Sequence, residues 1–154
     1  IYTMKGRDFD KPLGVLVKDW HDLEKSTYLT GDQLRFLQQY RFPFSILAEV
    51  REEFRFDTLL ENMEKYPLVS FRVAVKCLSH DVYSRLEYPL FQTSANRAGE
   101  EECRDFDEVQ EVFCAYVEGV QFIDGEMTHL PGSNIFRFLG DSLELEYLRK
   151  NYSQ

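Results

Sequence analysis

FQTSANRAGEEE, residues 91–102, places a Thr-Ser-Ala-Asn step straight after a short apolar run, then a glycine followed by three glutamates. Thr93 and Ser94 offer hydroxyls that donate and accept, Asn96 offers an amide that does both, and Gly99 permits a backbone conformation that other residues resist. An ordinary turn would use Asn-Gly or Pro-Gly here. Two readings fit. One is an Asx or Ser/Thr turn that satisfies its own backbone. The other is a ligand loop at a strand end, where ligands usually meet the backbone of an α/β sheet. Four residues do not choose between them. Glu100 to Glu102 read as a solvated face.

Outward from this step the chain alternates strand and helix signals. PLFQT (89–93) reads as a strand, as do LGVLV (13–17) and FPFSILAEV (42–50). VSFRVAVK (69–76) puts Val69, Phe71, Val73 and Val75 on one face and Arg72 and Lys76 on the other. TGDQLRFLQQY (30–40) opens with a capping-box pattern from Thr30 to Gln33. HDVYSRLEY (80–88) reads as a short helix. DFDEVQEVFCAYV (105–117) reads as a helix with the stripe Phe106, Val109, Val112, Phe113, Tyr116 and Val117. VQFID (120–124), NIFRF (134–138) and LELEYL (143–148) complete the strands. This spacing predicts an α/β fold, a single domain over 1–154 with a twisted mixed sheet flanked by helices.

At 154 residues one core that buries about 70% of the unfolded surface is expected. An apolar fraction of 44% with 29% charged residues fits a soluble globular chain. The net charge of −9 argues against a broad phosphate-backbone footprint, although it leaves room for a local RNA contact. Cys77, Cys103 and Cys114 are odd in number and lack CxxC spacing, so a reducing compartment is expected. With no apolar run of membrane length and no signal-peptide pattern, the expectation is a cytoplasmic chain with no membrane partner. His21, His80 and His129 show no ligand spacing, so no protein-held metal is expected. The chain opens on Ile1 and reaches MKGR by residue 7, which is expected of a start inside a domain.

Two further stretches carry chemistry. MKGRDFDKPL (4–13) holds Lys5, Arg7 and Lys11 within seven residues. Read as extended backbone, it projects Lys5 and Arg7 to one side, where an ammonium and a guanidinium fork suit a polyanion such as a triphosphate. The plainer reading is a solvated loop paired with Asp8 and Asp10. LPGSNIFRF (130–138) sets Ser133 and Asn134 just before a strand, where backbone amides and a hydroxyl suit a phosphate; a plain turn is the alternative.

Taken in order, these pieces resemble the YrdC-like family, the L-threonylcarbamoyladenylate synthases. That family carries K-x-R and then K-P-L, a later T-S-A-N with S-G-E or a near variant, and a P-S-T-I-like step before the last strands. Here they stand as Lys5-Gly6-Arg7, Lys11-Pro12-Leu13, Thr93-Ser94-Ala95-Asn96 with Ala98-Gly99-Glu100, and Gly132-Ser133-Asn134-Ile135. RFPFSIL (41–47) is similar to the family's proline-containing approach to a Thr-bearing strand, with Ser45 at the Thr position. The departures are Lys76 and Leu78 where the family shows R-x-P, with His80 aligned to a common His, and Asn134 at the Thr of the P-S-T step. The family's first strand and turn, P-T-x-T-x-Y-G, would lie upstream of Ile1.

The resemblance implies an adenylyl transfer. Threonine carbamate, formed from L-threonine and bicarbonate, attacks the α-phosphorus of ATP. Pyrophosphate leaves, and threonylcarbamoyl-AMP passes to a tRNA threonylcarbamoyl transferase complex. It casts Lys5, Arg7, Ser94 and Asn96 as catalytic, and Lys11, Thr93, Lys76, Ser133 and Asn134 as substrate- or nucleotide-binding. Mg2+ would be held mainly by the phosphates. The alternative is a noncatalytic nucleotide- or RNA-binding module on the same fold.

Overall fold

Short runs rich in Val, Phe and Leu become strands: β1 (Gly14–Val17), β2 (Phe44–Glu49), β3 (Leu68–Val73), β4 (Leu90–Gln92), β5 (Asn134–Phe138) and β6 (Leu145–Arg149). They pair in the order β4-β1-β3-β2-β5-β6. The β1–β3 and β2–β5 pairs are parallel, and the other three pairs are antiparallel. The sheet is therefore mixed. The computed structural model describes residues 1–8, 13–54, 67–113, 116 and 130–153. The chain forms two compact units, Ile1–Lys11 with Thr93–Pro131, and Pro12–Gln92 with Gly132–Gln154. All six strands belong to the second.

Two helices cover the sheet. α2 (Trp20–Ser26) starts at Asp19, whose carboxylate accepts from the Asp22 amide. α3 (Gly31–Gln39) starts with the expected capping box, in which Thr30 Oγ1 accepts from Gln33 N and Gln33 Oε1 accepts from Thr30 N. Leu23, Leu34 and Leu37 turn inward onto Val15, Val17, Ile46, Phe71 and Phe136. Each such buried side chain contributes about 1.5–3 kcal/mol. Tyr40 and Phe136 join the rings of Phe44, Phe138 and Tyr147 into an aromatic cluster.

The other unit contains α1 (Tyr2–Lys5) and, after the short helices α4 (Ala74–Cys77) and α5 (His80–Tyr83) of the sheet unit, α6 (Phe106–Phe113). Its buried residues include Lys5, Cys103 and Phe113.

Several expectations change. Residues 2–5 are helical, and Gly6 ends the helix in the left-handed region at φ 60°, so Lys5 and Arg7 do not sit on an extended segment. β3 stops at Val73, and the chain coils into α4 because Val75 N bonds Lys18 O and Leu78 N bonds Ala74 O. Lys76 is therefore a helical residue. In α6 Phe113 is buried, but Phe106 is 42% exposed, and Tyr116 beyond the helix is 53% exposed, so neither belongs to a buried stripe. Val117 and the strand expected at 120–124 lie outside the described residues.

Candidate functional site

The Thr-Ser-Ala-Asn step forms a closed hydrogen-bonded loop around a lysine. Ser94 Oγ donates to Asn96 Oδ1 at 2.6 Å, and Asn96 Nδ2 donates to the Glu100 carbonyl at 2.8 Å. The Lys5 ammonium then donates to the Ser94 carbonyl at 2.5 Å and to Asn96 Oδ1 at 2.8 Å. Backbone bonds fix the same register: Ala98 N bonds Lys5 O, and Cys103 N bonds Ala95 O. Gly99, at φ 86°, makes the return turn that a side chain would strain. The step is therefore a self-bonded loop whose spare acceptors hold the Lys5 ammonium.

Lys5 is only 3% exposed. Among the described residues its two hydrogen-bond partners are neutral oxygens, and they take two of its three N–H groups. Burial pulls its pKa below the usual 10.5, and the nearby Arg7 charge pulls it down further; Glu102 and Cys103 act in the opposite sense. Two adjacent cations, one of them desolvated, make a place where an anion is stabilising. Burial raises the Cys103 thiol, with Glu108 next in effect, so it stays protonated at neutral pH. Arg7 and Thr93 are half-buried. Lys11 lies outside the described residues.

In the sheet unit a second group forms where β2 and β5 begin and β3 and β6 end, an edge set by the Phe44–Asn134 and Ile135–Arg149 pairings. Ser133 is buried, 3.5 Å from Ser45 Oγ. Arg149 Nε donates to the Ser133 carbonyl at 2.8 Å, and its Nη2 reaches Ser133 Oγ at 3.4 Å. A Cβ at Gly132 would lie 2.9 Å from Arg149 Nη2, so a side chain there would displace the guanidinium. Asn134 is built in differently from the phosphate-facing role expected of it. It is wholly buried; its amide nitrogen donates to Tyr40 Oη and the Tyr152 carbonyl, and its Oδ1 accepts from Asn151 N and Tyr152 N. Its backbone N–H is spent on Pro43 O. Asn134 clamps the C-terminal segment to the sheet. Lys76 is exposed and lines a 260 Å³ hollow with Arg41, Arg72 and Cys77.

Sequence reasoning missed Arg149, Arg41 and Arg72 as candidates. The signal available was their position: Arg149 closes the last strand and Arg41 precedes the proline step, both in a chain otherwise rich in acid. Among the described residues no cluster of His, Cys, Asp and Glu is arranged to hold a metal ion, and no helix is long and apolar enough to cross a membrane.

A family model described as telomere recombination, Sua5/YciO/YrdC, matches residues 1–150, and the chain belongs to that family. No curated protein matches it in sequence. Among solved structures, P. abyssi Sua5 complexed with L-threonine superposes with a TM-score of 0.73 at 21% identity, covering 96% of this chain and 42% of that one. Full-length HypF in the phosphate- and nucleotide-bound form superposes at 0.69 and 16%, covering 96% and 22%. The MTH1692 protein from Methanobacterium thermoautotrophicum superposes at 0.60 and 18%, covering 98% and 68%. The chain thus spans about two fifths of the Sua5 chain and about a fifth of HypF.

Proposed function

We propose that the protein is an L-threonylcarbamoyladenylate synthase. The observation that carries this reading is the buried Lys5 ammonium, held by the Ser94 carbonyl and Asn96 Oδ1 beside Arg7. Family membership and the L-threonine bound to the similar Sua5 structure support it.

In the proposed reaction the threonine amine adds to carbon dioxide from bicarbonate and loses a proton to give a carbamate. A carbamate oxygen then bonds to the α-phosphorus of ATP as the bond from that phosphorus to the bridging oxygen breaks, and pyrophosphate leaves with the electron pair. Nucleophile and electrophile are both anionic. Fixed cations must therefore offset their repulsion and the charge developing on pyrophosphate. Lys5 supplies its third N–H and its charge, and Arg7 supplies a planar fork. Ser94 and Asn96 act through Lys5: with Ser94's proton and both Asn96 Oδ1 acceptor sites engaged, they are positioning residues more than ligands. In the sheet unit, Ser133 with Arg149, and the cations Arg72 and Lys76, form groups of their own that suit carboxylate or phosphate oxygens. Magnesium enters with the substrate, on its phosphate oxygens. The product would supply a tRNA threonylcarbamoyl transferase complex.

The test is pyrophosphate release from ATP measured with and without L-threonine and bicarbonate. Release that requires both supports the reading. Release indifferent to threonine overturns the synthase reading, and no release with ATP bound favours the noncatalytic nucleotide-binding alternative.

A further inference from the structure

The sheet unit also contains a cavity of about 530 Å³, which shares Arg41 and Phe42 with the 260 Å³ hollow. It lies where α3 runs into β2 and where the chain leaves β6. Its walls include the rings of Tyr40, Phe42, Tyr147 and Tyr152, and Arg41 and Lys150 stand among them. Among the described residues that line it there is no Asp or Glu, in a chain whose net charge is −9.

The rings are fixed before any ligand arrives. Phe42 and Tyr152 stack at 5.8 Å with 18° between planes, and Phe42 meets Tyr40 edge-on at 5.9 Å. Tyr40 and Tyr147 share a hydroxyl contact at 3.2 Å, and Lys150 Nζ lies 4.9 Å from the Tyr147 ring centre. The volume falls in the range of small-ligand sites. Rigid aromatic faces beside exposed cations are the chemistry that holds a base by stacking and its phosphate by charge.

We propose that this cavity is a second, separate nucleotide-binding site, taking the base against the Tyr152 and Phe42 rings and the phosphate on Lys150 and Arg41. Its floor is linked to the Ser133–Arg149 group through one side chain. Asn134 bonds Tyr40 and the Tyr152 backbone, and it follows Ser133 directly in the chain. Occupation of the cavity therefore bears on Asn134 and on the position of Ser133. The nucleotide is either free or part of single-stranded RNA, and the two sources share the same recognition chemistry.

The test uses the full chain with AMP by calorimetry and a fluorescein-labelled ten-nucleotide oligoadenylate by polarisation. Three variants are compared: Lys150→Glu, Tyr152→Leu and Lys5→Met, each checked for folding by thermal melting. The expected result is binding that falls about tenfold in Lys150→Glu and at least fivefold in Tyr152→Leu, with part of it surviving in Lys5→Met. Tighter binding of the oligonucleotide than of AMP assigns the site to RNA, and equal binding assigns it to free nucleotide. Binding lost only in Lys5→Met, unchanged binding in Lys150→Glu, or no binding of either probe overturns the proposal. Because none of these readouts measures pyrophosphate release, the synthase reading stands or falls separately.

Discussion

Lys5 sits at the centre of the functional reading, and its environment makes the reading testable at single-atom scale. Burial and the Arg7 charge lower its pKa from 10.5. The protonated form is the useful one, so threonine-dependent pyrophosphate release should fall as pH rises through this lowered pKa, on a limb centred below 10.5. A pH–rate profile checks this, and Lys5→Arg should remove the limb. Asn96→Asp gives a sharper contrast. A carboxylate in place of the amide would neutralise Lys5 while the fold holds, and release should drop at least tenfold. Assays paired with chemical unfolding distinguish that from collapse. The lysine and its loop were legible in sequence as separate motifs. Their contact was not, because 91 positions separate Lys5 from Asn96, and only the fold brings them within hydrogen-bond range. The helix that aims Lys5 was illegible too, since four residues are too few to show a period.

At the level of elements, local chemistry explains what could and could not be read. The capping box of α3 was legible because both of its bonds lie within four residues. Thr30→Ala should cost about 1 kcal/mol of stability by denaturant unfolding, with activity retained. By contrast, VSFRVAVK alternates beyond the point where the strand stops. Period-two spacing fixes a face but not an end, and the turn into α4 is made by a bond from Val75 to Lys18, remote in sequence. α2 escaped notice because its seven residues carry one inward leucine, Leu23, and a lone cap at Asp19. The Gly132–Ser133 step gives a further test. A methyl at Gly132 would push the Arg149 guanidinium off Ser133. Gly132→Ala should leave the melting temperature little changed, since the displaced atoms end a flexible side chain; a large drop would show that the Arg149–Ser133 bonds hold the sheet edge.

At the scale of the whole molecule, the rings of Tyr40, Phe44, Phe136, Phe138 and Tyr147 form one cluster that encloses the Tyr40 and Tyr147 hydroxyls. Tyr147 shows what this does to stability. Burial, with the hydroxyl contact to Tyr40, raises its pKa from 10 to about 12. Unfolded chains lose this proton near pH 10 while the folded protein keeps it to about 12. The contribution of Tyr147 to stability is therefore complete below pH 10 and disappears as pH rises through 12. The difference in unfolding free energy between wild type and Tyr147→Phe should be flat up to pH 10 and change steadily above it. The mixed α/β architecture was legible from interleaved strand and helix signals. The strand order was not, because pairings such as β2 with β5 join residues 90 positions apart.

The account rests on Lys5 meeting the phosphates of ATP. NMR titration of the Lys5 ammonium, run with and without ATP, tests that contact directly. A bound triphosphate should favour the charged form and raise the midpoint. An unchanged midpoint in protein saturated with ATP would contradict the account.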